Sequence, residues 1–423
     1  MRRRRGCKNQ WAVHVIRDMG TVAFVILRKR EGLLQCVYEK ETAEFDIKTI
    51  KEAATLEVTG VLKQNEKAPN GIEITMQKVE ILSEPEAEMM PLAISKWKLN
   101  TSLEAKLNYR SIALRNIRER AKFRIQEGLT RAFRDFLYSQ EFTEIHTPKI
   151  GAKGAEGGAN IFKLEYFHRP AVLAQSPQFY KQMMVGVFDR VFETAPVFRA
   201  EKHNTKRHLN EYTSLDFEMG YIDGFEDIMA METGYLQYAM KLLQKEYAKE
   251  LKILGVEFPD VSRIPAVRFH DIKEIVSEKY GHKMRNPFDL EPEEEQLIGK
   301  YAKEEWGSDF VFVTHYPSKK RPFYAMDDPE DSKYTLSFDL LFKGLEITTG
   351  GQRIHDYQKL IEKIEARGME TDGMDQYLAT FRHGMPPHGG IGIGLERLTM
   401  QLIGEDNVRE TTLFPRDLSR LEP

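Results

Sequence analysis

One short stretch of the sequence carries an unusual density of charge. The segment APVFRAEKHNTKRHLNEYTSLDFEM, residues 195–219, contains Arg199, Glu201, Arg207 and His208 between two apolar segments that are typical of β-strands. Buried charges must be paired, and an exposed turn does not need so many of them. A solvated turn is the simplest explanation, but a hairpin whose tip binds a charged ligand would also produce this pattern.

Two further charged positions lie far away in the chain. Glu346 lies in a strand-like segment, GLEITTGGQRIHDY, and Arg397 follows the glycine-rich GGIGIG at the start of a predicted helix. Separated arginines with nearby carboxylates suit a polyphosphate held by bidentate guanidinium contacts, with a glutamate on Mg²⁺. Each arginine taken alone is more simply explained by a surface ion pair. The phosphate-loop motif GxxxxGK[ST] is absent, and GGIGIG lacks the βαβ context of a dinucleotide site.

The composition is that of an ordinary globular protein. The chain has 423 residues, of which 41% are hydrophobic and 30% charged, and its net charge is −3. This length favours two or more domains, and the near-neutral charge means that nucleic-acid binding needs local basic patches. The sequence has two cysteines, Cys7 and Cys36, which excludes a disulfide framework or a zinc cluster. Since no apolar run approaches a membrane span, we expect a cytoplasmic protein without a membrane partner.

The elements that must position the charges fall into two groups. Residues 11–82 alternate short β-prone runs with turns, which predicts a small β-barrel. Residues 1–80 carry 15 Lys and Arg against 11 Asp and Glu. Small basic barrels commonly bind single-stranded nucleic acid, although a purely structural barrel is the alternative. An acidic, proline-containing segment, SEPEAEMMPLA, indicates a linker, and helix and strand patterns follow it.

Three later segments, in this order, resemble the signature motifs of class II aminoacyl-tRNA synthetases. FTEIHTPKI with Pro148 is similar to motif 1, FRAEKHNTKRHLNEYTSLDFEM to motif 2, and GIGLERL to motif 3. Within that class, EGGANIF, QSPQFYKQ, QRIHDY and FRHGMPPHGGIGIGLERL resemble aspartyl-tRNA synthetases of the archaeal and eukaryotic type. The resemblance covers nearly the whole chain. It implies an α+β fold, in which an N-terminal OB-fold barrel (1–84) and a linker (85–104) precede a class II catalytic domain (105–423) with an antiparallel sheet flanked by helices.

The resemblance also implies an activity and its ligands. The family attaches L-aspartate to tRNA(Asp) through an aspartyl-adenylate, with ATP as substrate and Mg²⁺ as cofactor. Arg199, Glu346 and Arg397 would be catalytic, and Glu346 and Thr349 would hold the metal, with Thr349 standing where the family usually has serine. The implied ATP site comprises Arg199, Glu201, Arg207, His208, Leu209, Glu346, Gly394, Leu395, Glu396 and Arg397. The implied aspartate site comprises Glu156, Ser176, Gln178, Lys181, Arg199, Asp216, Thr349 and Arg353.

Two cations of that implied site bear on the choice of amino acid. Arg353 and Lys181 would select a carboxylate side chain, because a neutral amide leaves the lysine uncompensated. Asparaginyl enzymes resemble the chain elsewhere but generally lack the Lys of QSPQFYK. Glu156 would bind the substrate ammonium together with Gln178, and it lies in GAKGAEGGA, a glycine-rich segment that we interpret as a lid.

The barrel residues are assigned in the same way. The resemblance implies that Phe24 stacks on an anticodon base and that Gln35 and Glu73 hydrogen-bond to base edges; a core role for Phe24 is the alternative. His14 and Pro69 match positions that track the choice between tRNA(Asp) and tRNA(Asn), where strict enzymes tend to carry Trp and Lys. Both residues predict a relaxed enzyme that also makes Asp-tRNA(Asn), which a transamidating amidotransferase would consume. The alternative is a barrel-surface histidine and an ordinary turn proline.

The resemblance also implies an oligomeric state, and it leaves other functions open. Motif 1 with Pro148 implies a homodimer. The alternative functions are those of an asparaginyl-tRNA synthetase, an asparagine synthetase-like paralogue and a non-catalytic tRNA-binding paralogue. The predicted barrel disfavours a synthetase of free asparagine, which needs no anticodon reader. The intact charged set disfavours a non-catalytic protein, and its members are Arg199, Glu201, Glu346, Arg353 and Arg397.

Overall fold

The computed structural model describes residues 10–152, 154, 160–203 and 205–422. The chain divides into two compact units, and the division falls between Arg120 and Ala121. Among the described residues, no helix combines the length and the apolar character that a membrane crossing needs. The domain bounds given by the resemblance, 1–84, 85–104 and 105–423, stay a prediction.

The first unit contains a closed five-stranded barrel. Its strands are β1 (Gln10–Asp18), β2 (Val22–Lys29), β3 (Gly32–Glu39), β4 (Thr55–Gln64) and β5 (Ile72–Ser83). They pair in the order β1-β2-β3-β5-β4, and β1 closes onto β4. Residues such as Val25, Leu27 and Cys36 form an apolar interior, since alternate side chains of a strand point to the same face. The barrel predicted from the alternation is therefore confirmed.

Turns and short helices complete the first unit. Residues 84–102 form turns and bends, and they are followed by α1 (Leu103–Asn108) and α2 (Arg110–Ala113). The buried Asn116 side chain fastens this irregular segment, because its Nδ2 donates to the carbonyls of Ile94 at 2.9 Å and Lys96 at 2.6 Å. These two hydrogen bonds fix the backbone just after the segment that composition marks as a linker.

The second unit contains an eight-stranded sheet and a three-stranded sheet, eleven strands in all among its described residues. Its strands are β6 (Thr143–Glu144), β7 (Ile150–Gly151), β8 (Lys163–Tyr166), β9 (Arg169–Leu173), β10 (Arg190–Phe198), β11 (Glu211–Gly220), β12 (Ala266–Arg268), β13 (Phe310–Thr314), β14 (Ser337–Phe342), β15 (Leu345–Gln352) and β16 (His388–Gly394). The large sheet has the order β12-β13-β14-β15-β16-β11-β10-β6, and β7-β9-β8 form a small sheet. Only the two outermost pairs, β6 with β10 and β12 with β13, are parallel.

Helices flank this sheet. They are α3 (Ile117–Ser139), α4 (Gln178–Phe188), α5 (Phe225–Glu246), α6 (Ala248–Leu254), α7 (Phe269–Tyr280), α8 (Pro292–Trp306), α9 (Tyr357–Ala366), α10 (Asp375–Arg382) and α11 (Leu395–Ile403). In the main core, Phe133 of α3 packs edge to face against both Phe192 of β10 and Tyr235 of α5. The predicted α+β class, with an antiparallel sheet flanked by helices, is confirmed.

The segment EFTEIHTPKI forms less strand than its pattern suggests. Only Thr143 and Glu144 pair with β10, and pairing resumes at Ile150 in the small sheet. Between them, the Thr147 N–H and hydroxyl donate to Glu193 at 2.8 and 2.7 Å. The ladder with β10 thus ends before Pro148, where the Glu193 carboxylate takes the Thr147 N–H, and Pro148 itself has no N–H to offer a strand.

Candidate active site

The candidate site is a cavity of about 550 Å³ that opens over the centre of the eight-stranded sheet. The β10–β11 hairpin, α4, β15 and the β16–α11 junction all contribute to its wall. The predicted residues that line it are Ser176, Gln178, Lys181, Arg199, Glu201, Arg207, His208, Leu209, Asp216, Glu346, Thr349, Arg353, Gly394, Glu396 and Arg397. Leu395 is buried, and Glu156 lies outside the described residues. The charges at the hairpin tip, on β15 and at the start of α11 thus meet in one cavity.

Four side chains at one end of the cavity form what we call the buried quartet: Lys181, Asp216, Glu218 and Arg353. Lys181 Nζ lies 2.9 Å from Asp216 Oδ1 and 3.4 Å from Glu218 Oε2, and it donates to the Ile391 carbonyl at 2.8 Å. Arg353 Nε donates to Glu218 Oε1 at 2.8 Å. No side chain of the quartet is more than 7% exposed. Two positive and two negative charges therefore balance one another away from water.

The protonation of the quartet follows from these contacts. Burial alone would raise the pKa of Glu218, but Arg353 and Lys181 outweigh it and leave this pKa below its ordinary value. The Arg353 guanidinium is also fixed by the backbone, since its Nη2 donates to the Gly390 carbonyl at 2.9 Å. Glu218 is therefore ionised, and two cations hold it in place before any ligand arrives.

A neutral hydrogen-bond chain supports the quartet from behind. His388 Nδ1 lies 2.9 Å from the Pro386 carbonyl, and its Nε2 lies 2.9 Å from Gln182 Nε2. Tyr377 donates to Gln182 Oε1 at 3.1 Å. Burial lowers the pKa of His388 to about 4, so the imidazole is neutral at physiological pH and accepts from the glutamine.

Gln178, at the start of α4, offers an unmet hydrogen-bond donor. The side chain is buried, and its Nε2 has no hydrogen-bond partner. A buried polar atom in a cavity wall without a partner is typical of a position that a ligand completes.

The opposite end of the cavity holds the arginine cluster, which we define as Arg207, Arg397, Glu346 and Glu295. Arg397 Nε donates to the Arg207 carbonyl at 3.1 Å, and its Nη1 donates to the Glu346 carbonyl at 3.0 Å. Arg207 Nη2 lies 2.7 Å from both carboxylate oxygens of Glu295. These contacts thus connect the hairpin tip, β15, α8 and α11 around one part of the cavity.

The hairpin tip is ordered by its own polar contacts. Asn210 Nδ2 donates to the carbonyls of Arg199 at 2.7 Å and Glu201 at 3.0 Å. His208 Nε2 lies 3.7 Å from Glu201 Oε2. Burial and the nearby Arg397 lower the pKa of His208, which favours the neutral imidazole.

Three oxygen-bearing side chains on β14 and β15 suit a hard divalent cation. Thr349 Oγ1 donates to Glu346 Oε1 at 3.1 Å, and Asp339 lies opposite Thr349 in the strand register. Asp339 Oδ1 is buried and lies 2.8 Å from Arg321 Nη2, an ion pair that leaves the carboxylate with further lone pairs. Carboxylate and hydroxyl oxygens with unmet acceptor capacity fit Mg²⁺.

The two carboxylates differ in their pKa. Burial raises the pKa of Asp339 to about 6, although Arg321 opposes the shift. Burial acts in the same direction on Glu346, but Arg397 and Arg207 outweigh it and lower its pKa. A cation bound between these groups would relieve the repulsion that each carboxylate exerts on the other.

The floor beneath the quartet is made of backbone. β16 reads HGGIGIG, and it lies between β11 and β15. At Gly390, a Cβ atom would collide with the Phe217 carbonyl and the Glu218 carboxylate. Glycine is required there because the strand passes directly against the buried quartet.

The predicted barrel residues belong to the first unit. Glu73 Oε2 accepts from Gln35 Nε2 at 3.0 Å and from Asn65 Nδ2 at 2.9 Å, and these contacts are partly buried. Phe24 is half-buried and pairs with Val37 on β3. The polar pair therefore forms a preassembled, half-exposed hydrogen-bonding surface on β3 and β5.

The two predicted discrimination positions differ in kind. His14 lies at a register shift in β1, is 4% exposed, and has no hydrogen-bond partner for its Nδ1. Burial, together with Arg28 and Arg120, lowers the pKa of His14 to about 4. Pro69 begins a single 3₁₀ turn before β5, which Asn70 ties to the Leu33 carbonyl at 2.8 Å.

Three site residues were not predicted. Asp339 carried a signal, since it lies seven residues before Glu346 in a strand-like segment that returns as a hairpin. Glu218 is two residues beyond Asp216 on β11, so strand alternation places both on the cavity face. Glu295 lies in the first turn of α8, outside every motif of the sequence analysis.

Comparison with known proteins agrees with this geometry. Residues 102–418 match the family described as tRNA synthetases class II (D, K and N), and residues 10–82 match the OB-fold nucleic acid binding domain. The chain is 46% identical to an aspartate–tRNA(Asp/Asn) ligase of Deinococcus radiodurans, covering 98% of this chain and 95% of that one. It is 40% identical to an aspartate–tRNA(Asp) ligase of Pyrococcus furiosus, covering 97% and 94%.

A solved structure has the same architecture. The asparaginyl-tRNA synthetase of Pyrococcus horikoshii complexed with asparaginyl-adenylate superposes with a TM-score of 0.88 at 29% identity, covering 98% of this chain and 95% of that one. The family matches span both units of the chain, and the cavity lies within the larger match. The chain therefore belongs to the class II tRNA synthetases of the aspartate, lysine and asparagine group, and it carries their OB-fold nucleic-acid-binding domain.

Proposed function

We propose that the chain attaches L-aspartate to tRNA in an ATP-dependent reaction with an aspartyl-adenylate intermediate. The buried quartet is the observation that carries this proposal. Lys181 and Arg353 place two cations at the closed end of the cavity, where a substrate carboxylate would join the ion pairs that Asp216 and Glu218 already form, whereas a neutral amide would bring no charge to them. The relatives named aspartate–tRNA(Asp/Asn) ligase, at 46% identity over nearly the full length, support the same amino acid.

The first step needs position and charge rather than a protein nucleophile. The aspartate α-carboxylate attacks the α-phosphorus of ATP in line, the bond to the β-phosphate oxygen breaks, and pyrophosphate leaves. Arg199 would bind the α-phosphate and the substrate carboxylate, while Arg207, His208 and Arg397 would bind the outer phosphates. Arginines with fixed positions stabilise the charge of the pentavalent arrangement without reorganisation.

The second step transfers the aspartyl group. The 3′-hydroxyl of the terminal tRNA adenosine attacks the adenylate carbonyl, the bond to the phosphate oxygen breaks, and AMP and a proton are released. Glu201 and the Gly394–Arg397 segment would hold the adenine. Gln178, with its unmatched buried donor, would bind a polar group of the aspartate.

Mg²⁺ would be held by Glu346 and Thr349, with Asp339 as a further ligand. When bound, the cation would neutralise phosphate oxygens and increase the electrophilicity of the phosphorus. The support for this assignment is the position of Asp339 opposite Thr349 in the strand register, next to the Thr349–Glu346 hydrogen bond.

For tRNA, we propose that Gln35, Glu73 and Phe24 of the barrel bind the anticodon of both tRNA(Asp) and tRNA(Asn). The 46% identical relative is named for both tRNAs, whereas the 40% identical relative is named for tRNA(Asp) alone. At the buried position 14, His takes up less space than Trp, and Pro69 offers no backbone donor. The product Asp-tRNA(Asn) would require an amidotransferase. We also propose that the protein is a cytoplasmic homodimer.

Pyrophosphate exchange tests the amino acid. The full chain is assayed with Mg·ATP and, in parallel, aspartate, asparagine and lysine. We expect exchange with aspartate alone. Exchange with asparagine at an equal rate would replace this proposal with an asparaginyl enzyme, and exchange with none of the three would favour a non-catalytic paralogue.

Aminoacylation tests the tRNA. Purified tRNA(Asp) and tRNA(Asn) are each charged with aspartate, and we expect both to accept it. Charging of tRNA(Asp) with none of tRNA(Asn) would make the enzyme a strict one. A His14→Trp, Pro69→Lys double variant tests the two positions, and it should lose tRNA(Asn) charging while it keeps tRNA(Asp) charging. Because His14 is buried, an unchanged melting temperature is the check that the variant is folded.

A further inference from the structure

The Glu295 side chain reaches the arginine cluster from a helix that no motif marks. Glu295 lies in the first turn of α8, and its side chain is 6% exposed. Both of its carboxylate oxygens lie 2.7 Å from the same nitrogen, Arg207 Nη2, and Oε2 also accepts the Glu346 N–H at 3.1 Å. One carboxylate thus joins the motif 2 hairpin to the strand that carries the metal-site glutamate.

The contact leaves part of the Arg207 guanidinium for another acceptor. Glu295 engages Nη2, whereas Arg207 Nε is buried and has no hydrogen-bond partner. A guanidinium carries five donors in a planar fork, so fixing one nitrogen sets the direction of the others. An unmet Nε–H in a cavity wall indicates an anionic acceptor that is still to come.

Arg207 is fixed at a second point. Its carbonyl accepts from Arg397 Nε at 3.1 Å, so both ends of the residue are held by side chains of the cluster. Glu295 also has a partner other than Arg207, the Glu346 N–H, which holds its carboxylate in place independently of Arg207. The arrangement is that of a support and not of a counter-ion that moves away when ligand binds.

We propose that Glu295 is a positioning residue that holds Arg207 in the orientation that binds the ATP polyphosphate. The inference rests on the proposed function, in which Arg207 binds the outer phosphates. Preorganised donors lose less entropy when they bind than donors that must first be ordered. Glu295 therefore contributes to ATP affinity without touching ATP.

The test is Glu295→Gln in the full chain, with Glu293→Gln as control. Glu293 lies two residues earlier on α8, and its side chain is 69% exposed. We expect the Km for ATP in exchange, and the Kd for Mg·ATP by equilibrium dialysis, to rise about tenfold in Glu295→Gln, the effect of losing a charged hydrogen bond. The Km for aspartate and the transfer rate from preformed adenylate should change less than about twofold, and Glu293→Gln should behave as wild type.

Other outcomes overturn the proposal. Tighter ATP binding in Glu295→Gln would make Glu295 a competitor of the phosphates, and unchanged binding would remove its role. An equal rise in both Km values with a lower melting temperature would indicate a structural role. If Glu295→Gln does not fold, Glu295→Asp, which keeps the charge on a shorter side chain, should show the same selective loss of ATP affinity.

A double-variant cycle isolates the pair. In an Arg207→Gln background, the further change Glu295→Gln should have little effect on ATP affinity, because the group that it positions is gone. A full tenfold effect in that background would contradict the proposal. Failure of the proposed function would appear separately, as wild-type protein that binds Mg·ATP in dialysis but shows no aspartate-dependent exchange.

Discussion

The two ends of the cavity solve the problem of holding charge in different ways. In the buried quartet, every side chain is at most 7% exposed and every charge already has a protein partner. In the arginine cluster, Arg397 is 22% and Glu346 35% exposed, so water reaches this end of the cavity. A dry, balanced end suits selection of a small ligand, because a mispaired group has no water to replace its partner. An open end suits a ligand that brings counter-ions and leaves as pyrophosphate.

Arg353→Leu breaks the closed end and should have the largest effect. It leaves Glu218 buried beside only one cation, and loss of one partner of a buried ion pair costs roughly 1,000-fold in binding or rate. We expect aspartate-dependent pyrophosphate exchange to fall by that factor while Mg·ATP binding persists. Adding Glu218→Gln to the variant removes the uncompensated charge, and should restore thermal stability but not exchange. Near wild-type exchange by Arg353→Leu would show that the quartet does not select the amino acid.

Arg397→Ala breaks the open end. It removes the donors to the Arg207 and Glu346 carbonyls, so the Km for ATP should rise by about 10- to 100-fold. Aspartate binding, measured by calorimetry without ATP, should stay at the wild-type value. Arg382→Ala, at the exposed end of α10, is the matched control. A parallel loss of aspartate affinity would mean that the two ends are not independent.

The pH dependence of stability sharpens the contrast between buried acids. Glu218 is ionised by two cations, whereas Glu232 on α5 has a hydroxyl neighbour, Thr348 Oγ1 at 2.6 Å, and its Oε2 has no hydrogen-bond partner. Burial raises the pKa of Glu232 to about 8 from an ordinary 4.5. The folded state therefore binds a proton that the unfolded state loses, and this contribution is complete below pH 4.5 and lost as the pH rises through 8.

Glu232→Gln removes that dependence. Wild-type stability should fall, relative to the variant, by at most about 1.4 kcal/mol for each pH unit between the two pKa values. Melting temperatures of both proteins between pH 5 and pH 9 provide the measurement, and the two curves should converge at low pH. Parallel curves across the whole range would mean that Glu232 is ionised in the folded protein.

The barrel offers a second binding surface, and a substitution there should have the smallest effect. Glu73 is half-exposed and bound to neutral amides, so water can replace a lost partner. Glu73→Gln should raise the Km for tRNA about fivefold, a typical loss for one hydrogen bond, and leave pyrophosphate exchange unchanged. Glu80→Gln, on the same strand and exposed, serves as control. A change in exchange would place Glu73 outside a purely tRNA-binding role.

The sequence predicted those parts of the protein that follow a regular residue pattern or match a known motif. The alternation of apolar and polar residues predicted the barrel. The motif resemblance predicted that Arg207 and Arg397 share one site, although 190 residues separate them in the sequence. Glu295 could not be foreseen, because its role depends on where α8 packs and not on its neighbours in sequence. Helical periodicity assigns α5 to the core, but a period cannot reveal that Glu232 within it lacks a cation.

The backbone floor at Gly390 constrains how this pocket can change. A pocket lined by side chains can be reshaped by single substitutions, but here any Cβ would displace the β11 carbonyl and the carboxylate on which Arg353 rests. Libraries that aim to redirect the enzyme to another amino acid should therefore leave β16 unchanged and vary the walls. The position of the Arg353–Glu218 pair therefore depends on the main chain of β16 as well as on the side chains that form it.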